Sequence, residues 1–390
     1  MGILRKLADK FDPPETRSKD VSWDSLSMNT HGGYVPGWSA ENLSTVLACV
    51  NAISTGCASL PAEVQIKRQG GGWEADEQHP LSTLIHEGCN PYQSWPDFME
   101  WLLASVLLSG NGLAEIVRDQ FARVRELRPI PWNSVSVQQL RHGRLVYDVT
   151  DQGVWGSNGR SRRLLQGEVF HLKDRSDDGL IGRSRLHRAA GTLRPALDLQ
   201  TFTGALWRNG MHPSGAVELE GTLDPDNRKN LRTQLTAGFS GPSNAAKLLI
   251  LDQGLKWKSI NISPEDAELL QSRRFSTEEL ARIFNVPPPV IGDLTHGSFT
   301  NSETMLRWFA MGTLSPWITK IEHEVNRSIF SATERRHYRI DLDLSGLLRG
   351  DPETRWASHK IAVESGILEI NEVREVEGWG PRKGGAPALA

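Results

Sequence analysis

Three arginines are spaced so that they could bind phosphate groups or an acidic partner. Arg273 and Arg274 are adjacent, and Arg282 follows about two turns later if the segment is helical. The same spacing places Glu278 four residues from both Arg274 and Arg282, where guanidinium and carboxylate groups pair on a helix. The cluster therefore has two interpretations. It is a solvated, salt-bridged helix face, or it presents cations to DNA or to a partner subunit.

The common catalytic signatures are missing or incomplete in the sequence. Gly241–Lys247 resembles a phosphate-binding loop but lacks the second glycine and the Ser or Thr of that motif. His323 and Glu324 begin a zinc-protease pattern, but its fifth residue is Arg327. No G-x-S-x-G nucleophile motif occurs. The sequence therefore gives little support to an enzyme, such as a nuclease or a peptidase.

Acidic residues and cysteines could also hold a metal. Asp341 and Asp343 share one face of a predicted strand, but no third ligand is nearby, so a solvated face is favoured over a metal site. Cys49, Cys57 and Cys89 are odd in number and form no C-x-x-C pair, which argues against a disulfide framework or a zinc site. We expect reduced, partly buried thiols, no metal and no cofactor.

Composition limits the class of protein further. The net charge is −3, which is unlike a protein that grips nucleic acid through many phosphate contacts. No stretch approaches the roughly 20 apolar residues of a membrane helix, so no membrane partner is expected. The 13 tryptophans suit either a Trp-rich core or extensive subunit contacts.

Periodicity in the first half predicts helices followed by a β-rich section. Ser39 begins a helix, and an alternating strand at 62–68 turns through three glycines toward Trp73. Ser94 and Asp97 have the spacing of a capping box, and residues 113–169 alternate with period two. The predicted apolar face of the first helix consists of Leu43, Val46, Leu47, Val50 and Ile53.

The second half predicts long helices around an insert. One helix spans Arg185–Asn209 with a kink or break at Pro195, and another spans Ser263–Phe284. Between them, residues 248–260 are predicted to form a hairpin-like pair of strands. After a proline-rich loop, a capping box at Thr300 starts a helix to Phe330, interrupted at Gly312 and Pro316. An alternating strand at 337–344 and two short helices, opened by Asp351 and Asn371, complete an α+β organisation.

Several passages in order resemble the portal proteins of tailed phages, in the branch typified by the phage Hong Kong 97. The resemblance covers about residues 43–374. Its most specific passage is RRFSTEELARIFNVPPPVIGD at 273–293, followed by NSETMLRWFAMGTLSPWITKIEHEVN at 301–326. Earlier passages include VLACVNAISTGCASLPAEVQ at 46–65 and WRNGMHPSGAVELE at 207–220, and the last is ESGILEINEVRE at 364–375.

The resemblance implies a portal fold with wing, stem, clip and crown regions. Because the chain is short for the family, the crown would be small. The implied regions are a flexible N-terminal arm at 1–38, a wing at 39–184, stem helices at 185–209 and 263–285, a clip at 210–262, a tunnel loop at 286–301, a long kinked helix and wing strand at 302–345, crown helices at 346–380 and a flexible tail at 381–390.

The resemblance also implies roles for particular residues. The tunnel loop would offer DNA a low-affinity rim without Lys or Arg, although packing against a neighbouring subunit is the alternative. The implied rim residues are Thr295, His296, Ser298, Phe299 and Asn301. The implied stem cations are Arg273, Arg274 and Arg282, and the implied clip residues for adaptor or terminase docking are Lys247, Lys256, Trp257 and Lys258.

In assembly, the resemblance implies a closed ring of about twelve copies. The ring would be assembled in the host cytoplasm and would sit in the virion at one capsid vertex. Its partners would be the major capsid protein, the terminase large subunit, a head–tail adaptor and the double-stranded DNA in the channel. Alternative hypotheses are a head–tail adaptor of the same particle or a head-assembly hydrolase. The sequence does not separate an infectious phage from a gene transfer agent.

Overall fold

The structure is a computed structural model of the 390-residue chain. It describes residues 37–68, 70–141, 143–150, 161–208, 216–218, 233, 256–258, 277–294, 299–345, 352–377, 379–380 and 382. The predicted arm at 1–38 lies outside the described residues except for residues 37 and 38, which belong to a short helix, and the predicted tail at 381–390 lies outside them except for Arg382.

Runs of helices and runs of strands follow one another along the described chain, which agrees with the predicted α+β organisation. The helices are α1 Gly37–Ala40, α2 Ser44–Ala58, α3 Pro80–Glu87, α4 Trp95–Ser109, α5 Arg185–Arg188, α6 Ala190–Arg208, α7 277–284, α8 Phe299–Phe309, α9 Ser315–Ser328, α10 Pro352–Glu364 and α11 Ile370–Val376. The strands are β1 Ala62–Lys67, β2 Trp73–Ala75, β3 Asn111–Arg118, β4 Val124–Ile130, β5 Val135–Gln139, β6 Leu145–Thr150, β7 Ser161–Leu165, β8 Val169–Lys173, β9 Ala216–Glu218, β10 Lys256–Lys258 and β11 Tyr338–Leu342.

The described strands form antiparallel sheets. Their orders are β11-β1-β2, β4-β3-β8 and β5-β6-β7, and β9 pairs with β10. In the first sheet, Val64 lies opposite Ile340, so the strand near the C-terminus joins the hairpin near the N-terminus. Ile340 and Leu342 are buried, which confirms the predicted apolar face of that strand.

Local chemistry sets the ends of α4. The Ser94 side chain accepts a hydrogen bond from the Asp97 backbone N–H, and the Asp97 carboxylate accepts from the Ser94 backbone N–H, which confirms the capping box. At the other end, Gly110 adopts a left-handed conformation with φ 88°. A Cβ at Gly110 would lie 2.5 Å from the Ser184 backbone nitrogen, so only glycine allows this approach. Asn111 already belongs to β3.

Two buried clusters form the described core. The larger one joins α2, α4, α7 and α9 to the first two sheets, and it includes Ile53, Leu103, Phe284 and Ile321. The smaller one packs the β5-β6-β7 sheet against part of β3, β4 and β8. Of the predicted apolar face of α2, Leu47 is 41% exposed while the other members are buried, so the prediction was wrong there. Leu47 follows Val46 directly and therefore lies at the edge of the stripe.

The predicted helix Arg185–Asn209 is divided, but not at its proline. The break falls at Ala189, which has φ −100° and ψ 21°, and it separates α5 from α6. Pro195 lies inside α6. Ser184 caps α5 by accepting from the Leu186 backbone N–H, so the short helix has its own start signal.

The long helix near the C-terminus is interrupted where the sequence predicted. Residues Ala310–Leu314 form a π-helical turn between α8 and α9. This turn contains Gly312 and ends two residues before Pro316, whose missing N–H favours a disturbed hydrogen-bond ladder. Trp317 and Ile321 on α9 are buried in the larger cluster. The second half of the long helix, α9, therefore belongs to the core, and we call it the inner half.

Candidate functional site: the junction beside the 286–301 loop

Arg185 joins four segments at the base of the loop. Its Nε donates to Asp174 Oδ2 at 2.8 Å, and its Nη1 donates to the Phe284 carbonyl at 3.1 Å. Its guanidinium carbon lies 5.2 Å from the Trp317 ring centroid. The Asp174 side chain is almost fully buried, so it needs this charged partner. One side chain thus ties the end of β8, the start of α5, the end of α7 and the start of α9.

Lys320 adds a second cation at the same ring. Its Nζ lies 4.9 Å from the Trp317 centroid and donates to the Lys173 carbonyl at 3.2 Å. Burial lowers the pKa of Lys320, and the Asp174 carboxylate acts against that shift. Both cations therefore lie within 5.2 Å of the Trp317 ring centroid, a distance at which the ring quadrupole attracts them.

Asn285 ends α7 and holds the N-terminal end of the 286–301 loop in place. It adopts φ 60°, and the Val286 N–H donates back to the Ala281 carbonyl at 3.0 Å. The Asn285 Nδ2 donates to the Gly312 carbonyl at 2.9 Å, and the Thr313 hydroxyl donates to the Asn285 carbonyl. A π-helical turn shifts the helix hydrogen-bond pattern, and here Gly312 and Thr313 bond to Asn285. The loop therefore starts at a fixed point on the long helix.

The described part of the predicted tunnel loop begins with a short 3-10 turn, Pro288–Ile291. Thr295, His296 and Ser298 lie outside the described residues. Phe299 and Asn301 lie in the first turn of α8, so their placement in a loop was wrong. The predicted start at Thr300 was also late. Ser298 and Thr300 are both favoured N-cap residue types, and spacing alone could not choose between them.

The predicted cations are only partly within the described structure. Arg282 is exposed, and its Nη2 donates to Glu278 Oε2 at 3.1 Å, which confirms the predicted i,i+4 pair. Arg273 and Arg274 lie outside the described residues, and so does Lys247.

The remaining clip residues lie in a short strand pair. Lys256, Trp257 and Lys258 form β10, in which Trp257 lies opposite Val217 of β9. The described strand partner of 256–258 thus lies near the other end of the insert, and the predicted hairpin-like pair at 248–260 falls largely on residues outside the described structure. Residues 248–255 lie outside the described structure. The insert is therefore closed at its base by β9 and β10.

The sequence did not predict a buried hydrogen-bond network around His171. His171 Nε2 donates to Asn111 Oδ1, and Tyr147 OH donates to His171 Nδ1, each at 3.0 Å. The Asn111 amide also bonds to the Gly182 backbone in both directions, at 2.8 Å. Burial, with smaller effects of nearby cations, lowers the pKa of His171 to about 3. Neutral His171 therefore joins the β4-β3-β8 sheet to the β5-β6-β7 sheet through Tyr147. The sequence did not predict this network, because Asn111 stands between two glycines and has the local pattern of a turn.

The three cysteines and Asp343, which the sequence offered as possible metal ligands, have local structural environments. Cys49, Cys57 and Cys89 are free and buried, and burial raises the pKa of each thiol to about 12. Asp343 accepts hydrogen bonds from the Ser345 N–H and hydroxyl at 2.7 and 2.8 Å. No cluster of three or more His, Cys, Asp or Glu side chains in the described residues could hold a metal. Among the described helices, none is long and apolar enough to span a membrane.

Comparisons with known proteins agree on one family. The family model described as "Phage portal protein" matches residues 44–378. The chain is 29% identical over 351 residues to the portal protein of Enterobacteria phage HK97, covering 89% of this chain and 81% of the relative. It is 29% identical over 389 residues to a probable portal protein of Streptomyces phage phiC31, covering 97% and 82%.

A similar fold occurs in a solved particle. The match is to a chain in the neck of an empty gene transfer agent particle computed with C6 symmetry. The TM-score is 0.60 at 24% identity, and the match covers 92% of this chain and 99% of the other. The predicted resemblance is thereby confirmed in family and in fold.

Proposed function

Because the chain belongs to the phage portal protein family, with residues 44–378 matching the family model, we propose that about twelve copies form a closed ring. The ring occupies one vertex of a capsid and gives double-stranded DNA a channel for packaging and ejection. The family match carries this proposal. The helix, insert, helix, loop and interrupted helix along residues 185–328 support it, since they follow the order expected of a portal subunit.

The weak net charge supports passage of DNA through the ring instead of tight binding. A channel that neutralised many phosphates would hold DNA firmly, because counterion release would stabilise each contact. With a net charge of −3, the chain avoids this. We assign the weak DNA-facing rim to the loop before α8, including Thr295, His296 and Ser298. Phe299 and Asn301 would extend this rim from the first turn of α8.

The remaining regions are assigned by the same proposal. Helices α6 and α7 belong to the stem, and residues 210–262 form the clip that docks the terminase large subunit and later the head–tail adaptor. Lys247, Lys256, Trp257 and Lys258 are the proposed docking residues of the clip. The sheets between 62 and 173, together with β11, form the wing, and α10 and α11 form a small crown. The ring is assembled in the host cytoplasm and contacts the major capsid protein in the virion.

The anchored base of the loop supports a mechanical role for the junction. Asn285 holds the end of α7 against the long helix through its 2.9 Å hydrogen bond to the Gly312 carbonyl, and Arg185 holds it against α5 through a 3.1 Å hydrogen bond to the Phe284 carbonyl. The loop that follows is thus attached to a packed core at its first end. A DNA-facing segment on such a base can yield locally while the ring keeps its shape.

The ring is tested by native mass spectrometry and negative-stain imaging of the purified full-length chain. We expect rings with a central channel and a mass near twelve times 43.3 kDa. A compact dimer without a channel would contradict the proposal.

The stem cations are tested by packaging. The double variant Arg273→Ala with Arg274→Ala should lower the amount of DNA packaged per particle while rings still form. Arg68→Ala is the control, because Arg68 pairs with Glu74 at the surface of the proposed wing, outside the proposed stem. Normal packaging by the double variant would show that these cations serve no DNA-related role.

A further inference from the structure

The first half of the long helix, α8, which we call the outer half, exposes several large apolar side chains. From Thr304 to Trp308 every residue of α8 is exposed. Three of these side chains are large and apolar: Met305 is 38% exposed, Leu306 50% and Trp308 51%. Met311 in the π-helical turn is 60% exposed. Monomeric proteins rarely leave so many large apolar side chains together on one short segment.

The exposed side chains continue a stripe that is buried further along. Phe309 is 4% exposed and packs into the larger core cluster. Leu306 and Met305 precede it by three and four residues, so they lie on the same side of the helix, one turn further out. The apolar stripe thus extends past the edge of the larger core cluster formed by the described residues.

The apolar surface is also wider than one contact needs. At 3.6 residues per turn, Trp308, Met305 and Leu306 span about 160° of the helix circumference. A helix that faces a single core needs an apolar stripe of roughly 100°. The extra width suits a helix that is covered from more than one direction.

The charge of this segment argues against DNA as its occupant. Between residues 304 and 311 the sequence has one charged residue, Arg307. Nucleic acid is bound through cations and polar groups, and single strands add stacking on aromatic side chains along a basic groove. By contrast, Trp and Met are enriched at the centres of protein interfaces. The surface therefore fits an apolar protein partner.

We propose that residues 304–311 are the surface by which one copy of this chain packs against the next copy in the ring. This inference rests on the proposed function. Helix α8 directly follows the loop assigned to the channel, where the channel contents and neighbouring copies come closest. Terminase and adaptor are assigned to the clip, and DNA does not fit the apolar surface. In a cyclic assembly the same surface of every copy meets a different surface of its neighbour, so each one is covered.

Photo-crosslinking of the full chain tests the contact directly. Trp308 is replaced by p-benzoylphenylalanine, which keeps an aromatic group at the site, and the assembled protein is irradiated and run on a denaturing gel. We expect a ladder of dimers, trimers and larger species, because each copy links to the next. The same probe at Phe121, which is 70% exposed at the tip of the β3–β4 hairpin, is the matched control. Rings that give intrachain links alone at residue 308 would overturn the inference.

A charge substitution measures the contribution of the same surface. Trp308→Glu should raise the concentration needed for ring formation by about tenfold or more, since buried Trp side chains dominate many interfaces. Phe121→Glu should leave assembly unchanged. Equal assembly by both variants, or equal loss, would contradict the inference while the proposed function stands. If the unmodified chain gave neither rings nor links between copies, the proposed function itself would fail.

Discussion

The two halves of the long helix have similar apolar spacing but different surroundings. On α9, Trp317, Ile321 and Val325 are at most 2% exposed. On α8, Leu306 and Trp308 are about half exposed. The inner half packs into the core of its own chain, whereas the outer half extends past that core. Apolar periodicity therefore predicts that a helix face will be buried, but it does not predict whether the same chain or another copy covers that face.

The largest expected difference between the halves is in the stability of the subunit. Ile321→Ala should lower the free energy of unfolding by about 2–5 kcal/mol, because Ile321 is fully buried and its truncation leaves a cavity. Leu306→Ala should change it by less than about 0.5 kcal/mol, since Leu306 is half exposed. Urea unfolding of dissociated subunits measures both. Similar losses for the two variants would mean that α8 packs within its own chain.

Acid should weaken the attachment of the inner half. The backbone N–H of His171 donates to Glu324 Oε1 at 3.3 Å, so the buried histidine lies against α9. Its pKa is lowered to about 3 in the folded chain, whereas an unfolded histidine titrates near its ordinary value of about 6.5. The unfolded chain therefore takes up the proton first, and the contribution to stability is complete above pH 6.5.

As the pH falls from 6.5 toward 3, His171 should remove about 1.4 kcal/mol of stability per pH unit. His171→Gln should lack this part of the slope while keeping the other titrating groups. Chemical denaturation of both proteins at a series of pH values isolates the difference. Parallel curves for the two proteins would contradict the assignment of a neutral histidine in the core.

The contact at the π-helical turn should contribute less. Thr313→Val removes the hydroxyl that donates to the Asn285 carbonyl and should cost about 1–2 kcal/mol. Asn285→Gly keeps the left-handed backbone available but removes the amide that donates to Gly312, and it should cost about 1 kcal/mol. Combining the two should cost less than their sum, because both also remove the 3.4 Å hydrogen bond from Asn285 Nδ2 to the Thr313 hydroxyl. Full additivity in urea unfolding would show that the contacts act separately.

The smallest effect is expected at the surface of α7. Arg282→Ala should change the free energy of unfolding by less than about 0.5 kcal/mol, since its pair with Glu278 is solvent-exposed and screened by salt. Thermal unfolding in low and high salt measures the change. A loss above 1 kcal/mol that persists at high salt would show that Arg282 has a packing role.

Features set by neighbouring residues were predictable from the sequence. The capping box of Ser94 and Asp97 and the Glu278–Arg282 pair follow from spacing alone, and both are confirmed. The interruption of the long helix followed from a glycine and a proline near its middle. The family was predicted from ordered passages, and the family model confirms it.

Features set by distant residues were not predictable in the same way. The antiparallel pairing of β1 with β11 joins segments more than 270 residues apart. Asn285 adopts a left-handed conformation whose support comes from Gly312 and Thr313, and no local pattern reveals that contact. The division of the 185–208 segment at Ala189 instead of Pro195 depends on the cap at Ser184 and on packing around it. The position of that break is therefore set by the Ser184 cap and by packing, and not by the helix propensity of Pro195.

A density map of the assembled ring, obtained by electron cryo-microscopy, would distinguish the surroundings of α8 and α9. We expect a closed ring with an axial channel in which α9 lies inside its own subunit and α8 is buried against the adjacent copy. We also expect the loop before α8 to line the channel. A closed ring in which α8 faces solvent and touches no neighbouring copy would overturn the proposed contact between copies, and an assembly without an axial channel would overturn the proposed function.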